Sequence, residues 1–145
     1  MKKRKHEFRR VKRYVFIYLV ILLLGLLNLR LKAQTPAVTW TGAIDSAWSR
    51  AGNWSAGKIP TSADDVVIAA APSFQPVVMS EASCKGIMIE KGAHVKFAGD
   101  VTLHVHGDFL NEGEVFSGRG KVRFAGSGIQ KITSASPLSF YTLEM

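Results

Sequence analysis

An all-β fold wound as a parallel β-helix, with coils of about 21 residues, is what this sequence predicts, and three observations carry it. Glycines recur 21 residues apart: Gly86, Gly107 and Gly128; Gly92 and Gly113; Gly99 and Gly120. Apolar positions keep the same step, pairing Val95 with Phe116, Val101 with Val122 and Leu143, and Leu103 with Phe124 and Met145. Between glycines, apolar and polar residues alternate in short runs, as in VTLHV at 101–105 and KVRF at 121–124. A fixed period of about 20 residues marks a solenoid. Period-2 alternation over short runs marks half-buried strands rather than helices. Each unit therefore reads as one coil of three short strands, whose inward side chains stack on counterparts one coil away. Val101, Val122 and Leu143 are expected to form one inward stack, and Leu103, Phe124 and Met145 another.

The charge is unevenly spread. The chain has 145 residues, a net charge of +8 and a pI near 9.9. Residues 1–32 hold ten Lys/Arg against Glu7 alone, while residues 33–145 hold nine basic and ten acidic residues. The body is close to neutral, so it lacks the phosphate-neutralising surface of a nucleic-acid binder. Cys84 is the only cysteine, which excludes an intramolecular disulfide; it reads as a small buried hydrophobe beside the first coil.

The basic residues sit in front of an apolar run, YVFIYLVILLLGLLNL at 14–29. A charged region, an apolar region and then small Ala33 form the layout of a signal peptide over 1–33. The alternative is an uncleaved N-terminal membrane anchor. At about 1.5 Å per residue the run covers roughly 24 Å of a roughly 30 Å hydrocarbon core, which is short for a span. Membrane contact is expected only through residues 14–29, and only if they are retained. Either arrangement exports the body to the cell surface or beyond.

Residues 34–39 read as a linker. Residues 40–85 read as a Trp-rich cap and first strand, with Trp40, Trp48 and Trp54 set among Gly42, Gly52, Gly57 and Pro60. Val66 and Ile68 lie 21 residues before Ile87 and Ile89, so the period reaches back into this stretch. The terminal coil of a solenoid needs a cover for its apolar end, and three large aromatics suit that task. The competing reading of Trp40, Trp48 and Trp54 is a sugar-binding platform, which needs exposed, coplanar rings. Residues 86–145 are the coils proper.

The pattern TWTG…W…NWS…P…DDVVI, followed by GIMIEKGAHVKF, VTLHVHGDFLNEGEVFSGRGKVRFAGSGIQKI and SFYTLEM, resembles the N-terminal part of large exported bacterial surface proteins. These are common in Bacteroidetes and related to autotransporter-type passenger repeats. The resemblance covers roughly residues 38–145. It implies a right-handed parallel β-helix behind a Trp/Asn/Pro/Asp box, with a Gly-Asn-Leu-x-Asn-x-Gly-like element matched by GDFLNEG at 107–113. The opening box is also similar to the start of the eight-glycine domain of some extracellular polysaccharide-related proteins. Members of the group usually continue far beyond this point.

The register places the polar residues. With Leu103 and Val105 inward, Asp100, Thr102, His104 and His106 face outward, and Asp100–Lys121 and Arg123–Glu144 become neighbouring-strand ion pairs. His104 and His106 share a face, and Asp108 is the one further metal ligand within reach. A zinc or copper site needs more than that, so these three are weak metal candidates. Asp64 and Asp65 are adjacent and point to opposite faces, so they do not form a catalytic pair. Glu112 and Glu114 share a face only if their turn is extended, and no carboxylate pair is held at glycosidase spacing. Asn53-Trp54-Ser55 is a glycosylation sequon with meaning only in a eukaryotic pathway. Asn111 reads as a structural turn residue that bonds its own backbone.

The expectation is an exported surface module with a structural or adhesive role, no catalysis and no cofactor. A carbohydrate-binding or carbohydrate-active module is the alternative, with a polysaccharide or cell-surface ligand as its partner. Because FYTLEM ends on the inward pair Leu143 and Met145, the coils are expected to continue in a longer solenoid or to associate end to end. Mass spectrometry of the exported protein is expected to find its N-terminus near Gln34. Retention of Met1 in a membrane fraction would instead make residues 14–29 an anchor.

Overall fold

Alternating runs too short to stand alone must lie against one another, and the computed structural model stacks them as parallel ladders. It describes residues 35–135, 137 and 138, and the backbone of 142–144. Strand β1 (Val38–Thr39) precedes the tryptophans. One coil then holds β2 (Val66–Ile68), β3 (Val77–Val78) and β4 (Ala82–Cys84). The next holds β5 (Ile87–Ile89), β6 (His94–Phe97) and β7 (Thr102–Val105). The third holds β8 (Phe109–Asn111), β9 (Glu114–Phe116) and β10 (Lys121–Phe124), before β11 (Ile132–Ser134) and β12 (Thr142–Glu144). The lone helical element among the described residues is a 3-10 turn, Ala51–Asn53. The signal peptide or anchor over 1–33 and the side chains of Leu143, Glu144 and Met145 lie outside the described residues.

The strands form three sheets, ordered β1-β2-β5-β8-β11, β12-β10-β7-β4 and β3-β6-β9, each paired in parallel. The inward column is continuous: Val66, Ile87 and Phe109 on the first sheet, Cys84 and Val105 on the second, Val78 and Phe97 on the third, all buried. The coils thus begin at Val66, ahead of the boundary at residue 86 that the glycines suggest. Val38 is also buried, and its N–H donates to the Asp65 carbonyl at 2.7 Å. The end of the expected linker is therefore a strand, too short at two residues to be read from pattern.

Coil length is not uniform, and this corrects the expected stacks. Val66 lies opposite Ile87, a step of 21, but Val122 lies opposite Leu103 and Phe124 opposite Val105, a step of 19. Val122 is therefore not above Val101, nor Phe124 above Leu103; Val101 packs only partly buried against the core. On the backbone, Val122 does face Leu143. On the second sheet the shift is even, so the inward faces survive it. On the third, Val95 faces Val115 instead of the expected Phe116, a step of 20, and Phe116 turns outward and is exposed.

Most of the shift comes from a shorter turn, which takes the step from 22 at Ile87–Phe109 to 20 at Val95–Val115. Residues 90–93 join β5 to β6, whereas only Glu112 and Gly113 join β8 to β9. A Cβ on Gly113 would run into the carbonyl oxygens of Ala93 and Glu90, so only glycine allows that turn to lie against the one below. The segment 125–131 is four residues longer than 106–108 one coil earlier, so the step rises from 19 to 23 where Ile132 faces Phe109.

The ion pairs move with the register. Lys121 faces Thr102 and Arg123 faces His104, so Asp100 does not meet Lys121. Asp100 instead receives two hydrogen bonds from Arg119, at 3.0 and 2.6 Å. Arg123 and Glu144 are opposite in backbone register, as expected.

Phe124→Asp should abolish cooperative unfolding, because it places a charge among Val105, Phe109 and their neighbours. Arg119→Ala removes only the exposed pair with Asp100 and should cost under about 1 kcal/mol. Urea denaturation of the two variants checks this, and similar losses from both would reject the register.

Candidate functional site

Two places concentrate side chains that are neither plain core nor plain surface: the tryptophan stretch and a groove beside β4. In the first, Trp54 is the centre. It meets Trp40 edge to face with ring centroids 4.9 Å apart, and Trp48 likewise at 4.7 Å. All three rings are buried, with 1–2% of their surface exposed. Trp40 Nε1–H donates to the Phe74 carbonyl at 2.7 Å, and Trp54 Nε1–H to the Trp48 carbonyl at 2.8 Å. None of the three offers an open face to a sugar.

Asn53 holds this arrangement. The 3-10 turn Ala51–Asn53 carries its amide inward, where it is fully buried. Its Oδ1 accepts the N–H groups of Ile44 at 2.9 Å and Asp45 at 3.1 Å. Its Nδ2 donates to Asp45 Oδ1 at 2.7 Å and to the Ala47 carbonyl at 3.0 Å. The amide's hydrogen-bonding capacity is thereby filled. The Ala47 N–H and then the Asn53 amide hold the Asp45 carboxyl below its ordinary range. Asn53 stands in the sequon that sequence reading set aside; its neighbour Trp54 was the visible signal, while its own role needs the fold.

The groove is open, about 750 Å³ in volume, and is lined on its strand side by β4 and by His104 of β7. Trp48 and Ser49 bound it on one side, residues 59–62 form its outer wall, and Glu81, Ser83 and His104 line the strand side. Asp64 braces that wall, accepting from Lys58 Nζ at 2.7 Å and from the Thr61 hydroxyl and N–H at 2.7 and 3.0 Å. The Lys58 ammonium first, then the two Thr61 donors, lower the Asp64 pKa from 3.8 to about 2. On the strand side, Glu81 Oε2 pairs with His104 Nε2 at 2.8 Å, and Glu81 Oε1 accepts the Thr102 N–H at 3.1 Å. The His104 contact, and to a lesser extent the Thr102 N–H, hold the Glu81 pKa below its usual value. Ser83 faces His104 in register, yet its hydroxyl makes no hydrogen bond to the imidazole, so the contact that would activate a nucleophile is not formed.

The remaining candidates are dispersed. The Asp108 carboxylate accepts the Lys131 N–H at 2.8 Å, while His104 is engaged with Glu81. Among the described residues, no three His, Cys, Asp or Glu side chains gather to hold a metal. Asp65 accepts from Lys85 Nζ at 2.7 Å and the Gly86 N–H at 2.9 Å, apart from the partners of Asp64. Glu112, on the turn against 90–93, and Glu114, the first residue of β9, are both exposed. Asn111 accepts the Gly113 N–H at 3.2 Å and donates to Ser134 Oγ at 3.1 Å, the turn role expected of it. Cys84 is a buried thiol whose pKa is pushed up by burial and then by Asp65. Sequence reading passed over Glu81, which lies 23 residues before His104 and so off the 21-residue step. It also passed over Gln75 and Gln130, whose amides staple turns across coils.

A family model described as a domain of unknown function, DUF8693, matches residues 39–117, from the tryptophan stretch through β9. No curated protein and no solved structure matches the chain.

The Asp64 brace predicts a pH signature. Its folded pKa is depressed, so its contribution is fully present above the ordinary 3.8 and is lost as pH falls toward about 2. Asp64→Asn should therefore melt below the parent at pH 6, and the gap should close between pH 4 and pH 2. A gap of constant size in thermal melts across that range would exclude a charged brace.

Proposed function

We propose that this chain, which belongs to the DUF8693 family, is an exported right-handed β-solenoid module with a structural or adhesive role at the cell surface and no catalysis of its own. The observation that carries this reading is the burial of Trp40, Trp48 and Trp54 at 1–2% exposure. Rings packed edge to face against one another serve as a cap over the first coil. A sugar platform would need their faces in solvent. Covering a solenoid end is what the tryptophan stretch does chemically, since each ring removes about 150–250 Å² from water. At about 25 cal/mol per Å², that is an upper estimate of about 4–6 kcal/mol per ring.

The connecting segments support the same reading. Charged residues there are used locally, in Arg119–Asp100, Lys85–Asp65 and Lys58–Asp64. Export rests on the basic and apolar layout of residues 1–33 and on the resemblance of the tryptophan box and GDFLNEG to exported bacterial surface proteins.

On a glycan array the full chain is expected to retain no sugar. Trp54→Ala is expected to destabilise the fold by about 3–5 kcal/mol, as a core deletion does. Saturable glycan binding that Trp54→Ala removes without lowering the melting temperature would overturn the scaffold reading in favour of a carbohydrate-binding module.

A further inference from the structure

We propose that the groove beside β4 is a vacant strand position that takes an extended peptide of a partner protein, one carrying a lysine or arginine, by β-augmentation. The inference goes beyond the scaffold reading and does not depend on it. It starts from the topology at the N-terminal end of the stack. The first sheet gains an extra strand there, since β1 pairs with β2. The third sheet gains a partial one, because Ala47 bridges Val77, Trp48 N–H donates to the Val77 carbonyl and Val77 N–H to that of Ser46. The second sheet gains none among the described residues and ends at β4. After Trp48 the chain turns inward to deliver Asn53 and returns only as the outer wall at 59–62.

The edge of β4 offers the N–H and C=O of Ser83, while the next N–H along it, of Lys85, is already given to the Asp64 carbonyl at 2.8 Å. The Cys84 carbonyl accepts the His106 N–H, on the β7 side. Backbone groups alternate in direction along a strand, so Ala82 and Cys84 serve β7 while the N–H and C=O of Ser83 face the groove. Trp48, which lines the same groove, holds a buried Nε1–H with no hydrogen-bond partner. That N–H lies beneath the groove surface, so an added strand reaches it only when the indole turns outward.

Charge selects the occupant. Among the groove's lining residues, Glu81 supplies a carboxylate, shared with His104, and there is no lysine or arginine. Lys58 beside the wall is engaged with Asp64, and Arg123 stands beyond His104, one strand further from the groove. An added strand would present one side chain toward Trp48 and Pro60 and the next outward toward Glu81. Alternating small apolar and polar residues with one basic side chain fit that pattern. A sugar is the poorer occupant, since no exposed aromatic face lines the groove and Trp48 is 2% exposed.

The test is fluorescence anisotropy on the full-length chain. The probe is a labelled peptide of alternating valine and threonine with one central lysine. Saturable binding is expected, about two- to fivefold weaker when glutamate replaces the lysine, the range of an exposed ion pair. Glu81→Lys should reverse that preference. Methylating the peptide's backbone nitrogens should abolish binding, as should Ser83→Pro, which removes the edge N–H. If Ser83→Pro does not fold by circular dichroism, the methylated peptide alone decides the strand mode. The proposal is overturned by no binding of the lysine peptide, by undiminished binding of the methylated one, or by an oligosaccharide that competes for the groove. A concentration-dependent dimer displaced by the peptide would also overturn it, assigning the groove to a second copy.

Discussion

A coil closes only if the residue that arrives above an inward side chain is itself apolar, and this matching of faces governs everything else in the molecule. In a parallel ladder, partners one coil apart share a face. Ile87 over Val66, Phe109 over Ile87 and Val105 over Cys84 all obey that rule. The distance travelled between them does not have to be constant. Turns absorb the difference, so a step of 19 on one sheet coexists with a step of 23 on another. What must be conserved within each strand is phase, not length.

This explains which parts of the fold were legible in the sequence. Three strands per coil and the inward faces other than that of Phe116 follow from alternation, which is local, and the reach of the pattern back to Val66 follows from the 21-residue step. The exact neighbours of Val122 and Phe124 did not follow, because glycines can share a spacing for different reasons. Gly99 and Gly120 stand 21 apart, yet Gly99 has φ +94° whereas Gly120 is held by its closeness to Phe97. The left-handed counterpart of Gly99 is Gly118, with φ +52°, 19 residues away, in step with the observed pairing of β7 and β10. A letter repeated in sequence is evidence of register only when the backbone requirement repeats with it.

The candidate sites were less legible, because they rest on contacts between segments that share no period. Asn53 reads as a sequon until its amide is seen filling the space among Ile44, Asp45 and Ala47. The tryptophans were visible as bulk, but their burial depends on that same amide. A buried primary amide with every group bonded fixes a single arrangement of the chain around it, since losing any one partner would strand a polar group away from water. The edge-to-face contacts of Trp54 with Trp40 and Trp48 then follow as packing on a backbone already set.

That arrangement has a structural cost elsewhere in the same end of the stack. To carry Asn53 inward, the chain leaves the strand path after Trp48, where it had been laid against β3. Had it continued along the coil, its next strand would have lain beside β4, as β4 itself lies beside β7. The segment returns instead at 59–62, tied down by Asp64 and held off β4. Burying the tryptophans and completing the second sheet are therefore competing uses of one stretch of chain. This chain uses the stretch to bury three tryptophans, and among the described residues β4 is consequently left as the last strand of its sheet.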